Sequence, residues 1–217
     1  MKKIALFVFL LAVSVAAGRA QESRQDISIS GLGLVEPFIA SSTDVYVHST
    51  TGFGALASYR FMLTPSSALE ANYGITYQNK INYSGPNLTN GEGLPGTKVG
   101  FEIPTRTQEV SAAYVHTFYY HKLNPFVEAG PGAMIFLPIV NSGLTILGPK
   151  QQTSLGFMYG AGFAYEISPS FDIRGEFRSF VTKVPDFGNP DGTGSGSFDT
   201  KKWYNIFTPA IGVAYHF

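Results

Sequence analysis

The side chains best suited to chemistry are charges set at alternate positions. Arg174, Glu176 and Arg178 are separated by single residues, with Phe177 among the spacers. Arg60, Glu70, Glu128, Glu166 and Asp172 stand in similar alternating surroundings. Neighbouring carboxylates can serve general acid–base catalysis. In a confined space, however, such groups must first pair with cations or reach water, because an isolated charge is costly. Alternate spacing places Arg174, Glu176 and Arg178 on one face of an extended strand, within reach of Glu128 or Glu166 on neighbouring strands. Glu36 and Glu109 are expected companions. A set paired in this way forms a structural ion-pair plug. The sharper alternative is a gated polar conduit that opens when a pair breaks.

Other chemistries find less support. The chain has four histidines and no cysteine, and no two histidines have metal-ligand spacing. His48 is followed directly by Ser49, and His116 by Thr117 and Phe118, so neither gives a His-x-Ser pair. His116, His121 and His216 are expected at one end of the molecule as interfacial or solvated residues. Asp186, Asp191 and Asp199 fall in a Gly- and Ser-rich stretch that reads as a hydrated loop rather than a calcium site. Gly156, Gly160 and Gly162 lie on a strand, not at the helix start that a phosphate-binding turn requires. The expectation is therefore no catalytic residue, no cofactor and no metal.

The elements that position these charges read as strands. In 68–80, Leu69, Ala71, Tyr73, Ile75 and Tyr77 share one face, while Glu70, Asn72, Thr76, Gln78 and Lys80 share the other. In 153–167, Leu155, Phe157, Tyr159, Phe163, Tyr165 and Ile167 oppose Gly156, Gly160, Gly162 and Glu166. In 171–183, Phe171, Ile173, Phe177 and Val181 oppose Asp172, Arg174, Glu176 and Arg178. Thr64–Ser67, His121–Asn124 and Ser168–Ser170 carry tight-turn chemistry. Longer polar stretches at about 41–51, 82–104, 139–152 and 184–201 alternate with these turns, and the last, Pro185–Thr200, has a flexible-linker composition. The pattern predicts eight strands at about 27–40, 52–63, 68–82, 105–120, 125–138, 153–167, 171–183 and 202–217.

Residues 1–20 have the form of an export signal: Lys2 and Lys3, then an apolar run from Ile4 to Ala17 that is too short to span a bilayer. Cleavage is expected after Ala17 or, better, Ala20, leaving one domain over 21–217. The absence of cysteine rules out a disulfide framework and a lipoprotein anchor. Fifteen basic and fifteen acidic residues balance, so nothing favours nucleic acid. No later stretch of 18 apolar residues occurs, and the longest candidate is broken by Pro138. A membrane protein of this composition must then be a closed barrel.

Periodicity alone leaves the direction of the faces open. An apolar interior would make a soluble carrier barrel. Three features favour an apolar exterior: the bulk of the rings on that face, the mixture of charge with glycine and alanine on the other, and aromatic residues near strand ends. The last strand places Phe217, Tyr215, Val213, Ile211 and Phe207 on one face, and ends on Phe217 with Gly212 five residues earlier.

This ending resembles the C-terminal sorting signal of outer-membrane barrels at Gly212, Tyr215 and Phe217, although Ala210 stands where that signal has a polar residue. Together with Asn124–Gly132, Tyr159–Tyr165 and Ile211–Phe217, it makes the whole mature chain similar to the OmpA/OmpX-type outer-membrane β-barrel family. The resemblance implies an all-β, eight-stranded antiparallel up-and-down transmembrane barrel in the bacterial outer membrane, without the peptidoglycan-binding domain of longer relatives. It also implies outer-membrane lipids and the barrel-assembly machinery as partners, the latter through the C-terminal strand, and a monomer. The expected role is non-enzymatic, structural or surface-interacting through external loops. The alternative is a small pore or hydrophobic-solute carrier of the OmpW kind. A lipid-modifying enzyme comes third, since lipid A deacylases and palmitoyltransferases are barrels of this general size.

Overall fold

A computed structural model describes residues 24–40, 45–85, 99–139, 148–188 and 198–217. The expected export signal and Asp191 lie outside these residues. Ten strands follow in order: β1 (Gln25–Leu34), β2 (Ile39–Ala40), β3 (Tyr46–Ser49), β4 (Gly52–Thr64), β5 (Ser67–Gly85), β6 (Val99–Thr117), β7 (Leu123–Pro138), β8 (Gln152–Ser168), β9 (Phe171–Lys183) and β10 (Trp203–His216). The eight long strands pair antiparallel in the order β5-β4-β1-β10-β9-β8-β7-β6, and β6 returns to β5. The wall is thus a closed eight-stranded antiparallel barrel, which leaves no long sheet edge. Among the described residues no helix is long and apolar enough to cross a membrane.

The tight turns fall where the sequence places them, at Pro65–Ser66, His121–Lys122 and Pro169–Ser170. Several boundaries differ. The first strand stops at Leu34 instead of running to residue 40, and the expected loop at 41–51 contains β3, which pairs with the outer end of β5. Pro37 offers no N–H to continue a ladder. The stretch at 82–104, polar enough to read as loop, extends both β5 and β6: Ile81 pairs with Ile103, Tyr83 with Phe101 and Gly85 with Val99. These two 19-residue strands are well beyond the roughly 9–11 residues that span a bilayer, so their outer ends are free to be polar.

The direction of the faces is resolved. Leu69, Tyr73, Tyr77, Leu155, Phe157, Tyr159, Phe163, Tyr165 and Phe177 are exposed, whereas Glu70, Asn72, Asp172, Arg174, Glu176 and Arg178 are buried. The apolar face is the outer wall. One assignment is corrected: Gln78 and Lys80 point outward and Asn79 inward. A register shift between Thr76 and Asn79 reverses the alternation there, and Gln78 takes a left-handed conformation (φ 62°). A β-bulge of this kind places two residues opposite one.

The first and last strands close the wall unevenly. Their ladder runs from Asp26–His216 to Leu32–Ala210. It resumes only at Val35–Phe207, which exchange two backbone hydrogen bonds of 2.8 Å. Pro209 lies in the gap against Gly33 and has no N–H to donate.

Candidate functional site

The barrel interior divides into two halves. The half near the tight turns, here the turn end, holds the charges. Arg60 on β4 donates from Nε to Glu70 Oε2 on β5 at 2.8 Å, and its Nη2 lies 2.6 Å from the same oxygen. Arg174 on β9 reaches Asp26 Oδ2 on β1 at 3.1 Å, Glu70 Oε2 at 3.7 Å and Ser28 Oγ at 3.2 Å. Arg178 binds Glu109 on β6 and stands 3.6 Å from Glu128 on β7. Ser111 Oγ donates to Glu109 at 2.9 Å. The Phe126 ring lies 4.8 Å from Arg60 and 5.9 Å from Arg174, adding cation–π contact. All three arginines are at most 2% exposed.

At the turn-end mouth, His216 Nε2 is 2.8 Å from Asp172 Oδ2, and its Nδ1 is 3.9 Å from Asp26. A cavity of about 550 Å³ opens here, lined by Arg24, Asp26, Arg60, Glu166, Asp172, Arg174 and His216 among others. The floor of this cavity is the ion-pair network itself.

The half near the long connections, the loop end, is apolar. Leu34, Ile81, Tyr83, Met134, Phe136, Met158, Phe180 and Ile206 form one buried cluster. Phe187 and Phe198, from the two ends of the Pro185–Thr200 stretch, are fully buried in it. Their rings lie 6.2 and 4.7 Å from Tyr83, whose hydroxyl donates to Pro185 O at 2.5 Å. Gly132 and Gly156 flank Phe180: a Cβ on either would stand 2.9 or 2.5 Å from that ring. These glycines make room for an aromatic side chain inside a narrow barrel. Glu36, on the connection after β1, is buried at this end, accepting from Ser49 Oγ and, at 3.0 Å, from Asn79 Nδ2. Burial pushes its pKa up to about 7, opposed only in part by those two bonds.

The structure distributes the expected site residues unequally. Arg60, Glu70, Arg174, Arg178 and Glu128 come together as described. Arg178 pairs with Glu128, but Arg174 turns to Asp26 and Glu70 rather than to Glu166. Glu166 lies half-buried at the mouth and makes no ion pair among the described residues. Glu176 is buried without a hydrogen bond or ion pair among those residues, facing Glu70 and Glu128. Asp172 and His216 pair with each other, so His216 belongs to the lumen mouth rather than to a purely solvated surface.

Asp26 lies one position before the strand start expected at residue 27, so the expected site does not include it. Continuing the alternation Leu34, Leu32, Ser30, Ser28 downward reaches it. Asp186 and Asp199 each accept a backbone N–H two residues ahead, at 2.9 and 2.8 Å. The C-terminal residues join the seam: Gly212 pairs with Ser30, and a Cβ there would stand 2.1 Å from Ile29 O. The Tyr215 ring lies 5.1 Å from Phe171 and 6.0 Å from Phe217 on the outer wall.

A family model described as "Outer membrane protein beta-barrel domain" matches residues 5–217. No curated protein matches. Among solved structures, Neisserial surface protein A (NspA) is similar at 14% identity and a TM-score of 0.56, over 90% of this chain and 98% of its own. The outer membrane protein OprG from Pseudomonas aeruginosa is similar at 12% identity and a TM-score of 0.60, over 91% of this chain and 97% of its own. At such identities the likeness is one of fold.

Proposed function

Because the chain belongs to the outer membrane protein β-barrel domain family, we propose that it is a non-enzymatic, non-conducting outer-membrane barrel that acts through its external loops. The observation that carries this reading is the double filling of the lumen. Arg60, Arg174 and Arg178 cross it at the turn end, and a packed apolar cluster fills the loop end. Ions would have to break buried charge pairs and then displace close-packed side chains. Specificity is left to the loops, which a rigid wall presents to the exterior. The imidazole of His216 is held between carboxylates on both sides, a structural use of the ring rather than a catalytic one. Lipids against the exposed apolar belt, and the barrel-assembly machinery at the C-terminal strand, are the partners of such a monomer, exported through cleavage of residues 1–20.

Single-channel recording tests this reading on the native protein and on an Arg174→Ala, Arg178→Ala double variant in planar bilayers. Negligible conductance in both supports the plugged barrel. Conductance appearing only in the variant identifies a gated conduit, and steady conductance in the native protein overturns the reading. A second reading, carriage of small apolar solutes, is favoured by one observation. Leu34 and Ile206 belong to the apolar cluster and adjoin the interrupted β1–β10 seam. Faster passage of an apolar dye into vesicles containing the protein, without conductance, would support carriage over the plug.

A further inference from the structure

We propose that Glu70, Glu128 and Glu176 hold a calcium ion inside the turn-end half of the barrel. One oxygen from each lies within 4.8 Å of the others, and all three side chains are buried. An acidic cluster alone would say little, but within this one Glu128 lacks the hydrogen-bond donors that burial demands. Neither oxygen of Glu128 accepts a hydrogen bond, although the residue is only 3% exposed. The cation nearest to it, Arg178 Nε, is 3.6 Å away and binds Glu109 through Nη2. Buried carboxylate oxygens without donors are uncommon and call for a cation or an ordered ligand. Gly160 keeps the space clear, since a Cβ there would stand 2.8 Å from Glu128 Oε1.

The charge balance points the same way. Asp26, Glu70, Glu109, Glu128 and Glu176 are buried together with only Arg60, Arg174 and Arg178 to offset them; Asp172 lies at the mouth, hydrogen-bonded to His216. Two negative charges remain, which one divalent ion neutralises. Coordination flexibility favours calcium, which accepts six to eight oxygens at about 2.3–2.6 Å in irregular geometry, over magnesium, which demands near-ideal octahedral geometry at about 2.0–2.1 Å and gives up its waters reluctantly. The turn-end cavity reaches Arg60 and Arg174, the partners of Glu70, and offers an approach from the periplasmic side.

The test uses full-length barrel purified in detergent, stripped with chelator, then given calcium chloride, magnesium chloride or neither. Bound metal is measured by elemental analysis, and stability by the temperature at which the folded band shifts on a gel. The expected result is one calcium per barrel and a rise of roughly 5–10 °C at a hundredfold excess over the dissociation constant. Glu128→Gln removes both effects. In chelator, the same variant shifts at or above the wild-type temperature, because a repelling charge has gone. Should Glu128→Gln give no heat-modifiable band, Glu176→Gln carries the same comparison. A wild-type barrel that retains no calcium and shifts at one temperature in all three solutions overturns the proposal. So do variants that keep the calcium response. A shift temperature that follows pH but ignores calcium means that protons, not a metal, balance the cluster, and also overturns it.

Discussion

The two halves of the lumen are built from the same strands and the same inward positions, yet they hold opposite chemistries. On β9, Asp172, Arg174, Glu176 and Arg178 face inward at one end, and Phe180 and Thr182 continue that face toward the other. On β7, Glu128 gives way to Met134 and Phe136. Inward direction therefore fixes burial but not polarity. What separates the halves is how each tolerates change. The charged half depends on directional pairs, in which removing one partner strands another. The apolar half depends on volume, which neighbouring side chains can partly restore.

The largest expected effect tests that distinction. Arg178→Ala leaves Glu109 and Glu128 without their shared cation and should cost roughly 3–5 kcal/mol, read from reversible urea unfolding in lipid vesicles. Removing Glu109 as well, as Gln, should recover part of the loss. If the double variant falls by the sum of the single losses, the pair is not coupled and the charged half is not a network.

A smaller effect sharpens the contrast at Glu36, a buried carboxylate on the apolar side. The pKa of Glu36 rises from 4.5 to about 7 in the folded barrel. Between those pH values the folded protein keeps a proton that the unfolded chain has lost. Stability should therefore fall as pH climbs through this window, with the full cost, roughly 3 kcal/mol, present above it. Glu36→Gln should flatten that segment of the unfolding-against-pH curve, and an unchanged slope would remove Glu36 as its source. The smallest effect is expected from Met158→Leu, a volume-conserving change in the apolar cluster, at less than about 1.5 kcal/mol by the same urea measurement. A loss equal to that of Arg178→Ala would erase the difference between the halves.

Much of the wall was legible in the sequence because its signal is strictly periodic. Tyr73 and Glu70, or Phe177 and Arg178, differ in face by parity alone, and eight strands leave few ways to close. The bulge at Gln78–Asn79 was not legible, since it depends on the register of β5 against β6 and not on either strand alone. Tyr83 and Phe101 were hidden in polar surroundings that resemble a loop, although they pair in the ladder that extends β5 and β6 at the loop end. Phe187 and Phe198 were hidden in the same way, as single rings within a Gly- and Ser-rich stretch whose composition suggested a hydrated segment. In the candidate site, the guanidiniums could be placed, but not their choice of partner. Arg174 turns to Asp26 and Glu70 because tilt and stagger decide which side chains meet across a narrow lumen, and a strand-by-strand reading carries no such information.

The stitch missing at Pro209 has a mechanical consequence. Elsewhere adjoining long strands are laced along most of their shared length, but β1 and β10 are joined firmly only from Asp26 to Leu32, with a single fastening beyond at Val35–Phe207. Tension applied across that join from the loop end loads the lone fastening before it reaches the continuous ladder. The cylinder thus has a built-in tear line, and the same asymmetry sets the easier direction for its last join to zip: from the turn end, where Gly212 fits against Ile29, toward the outside.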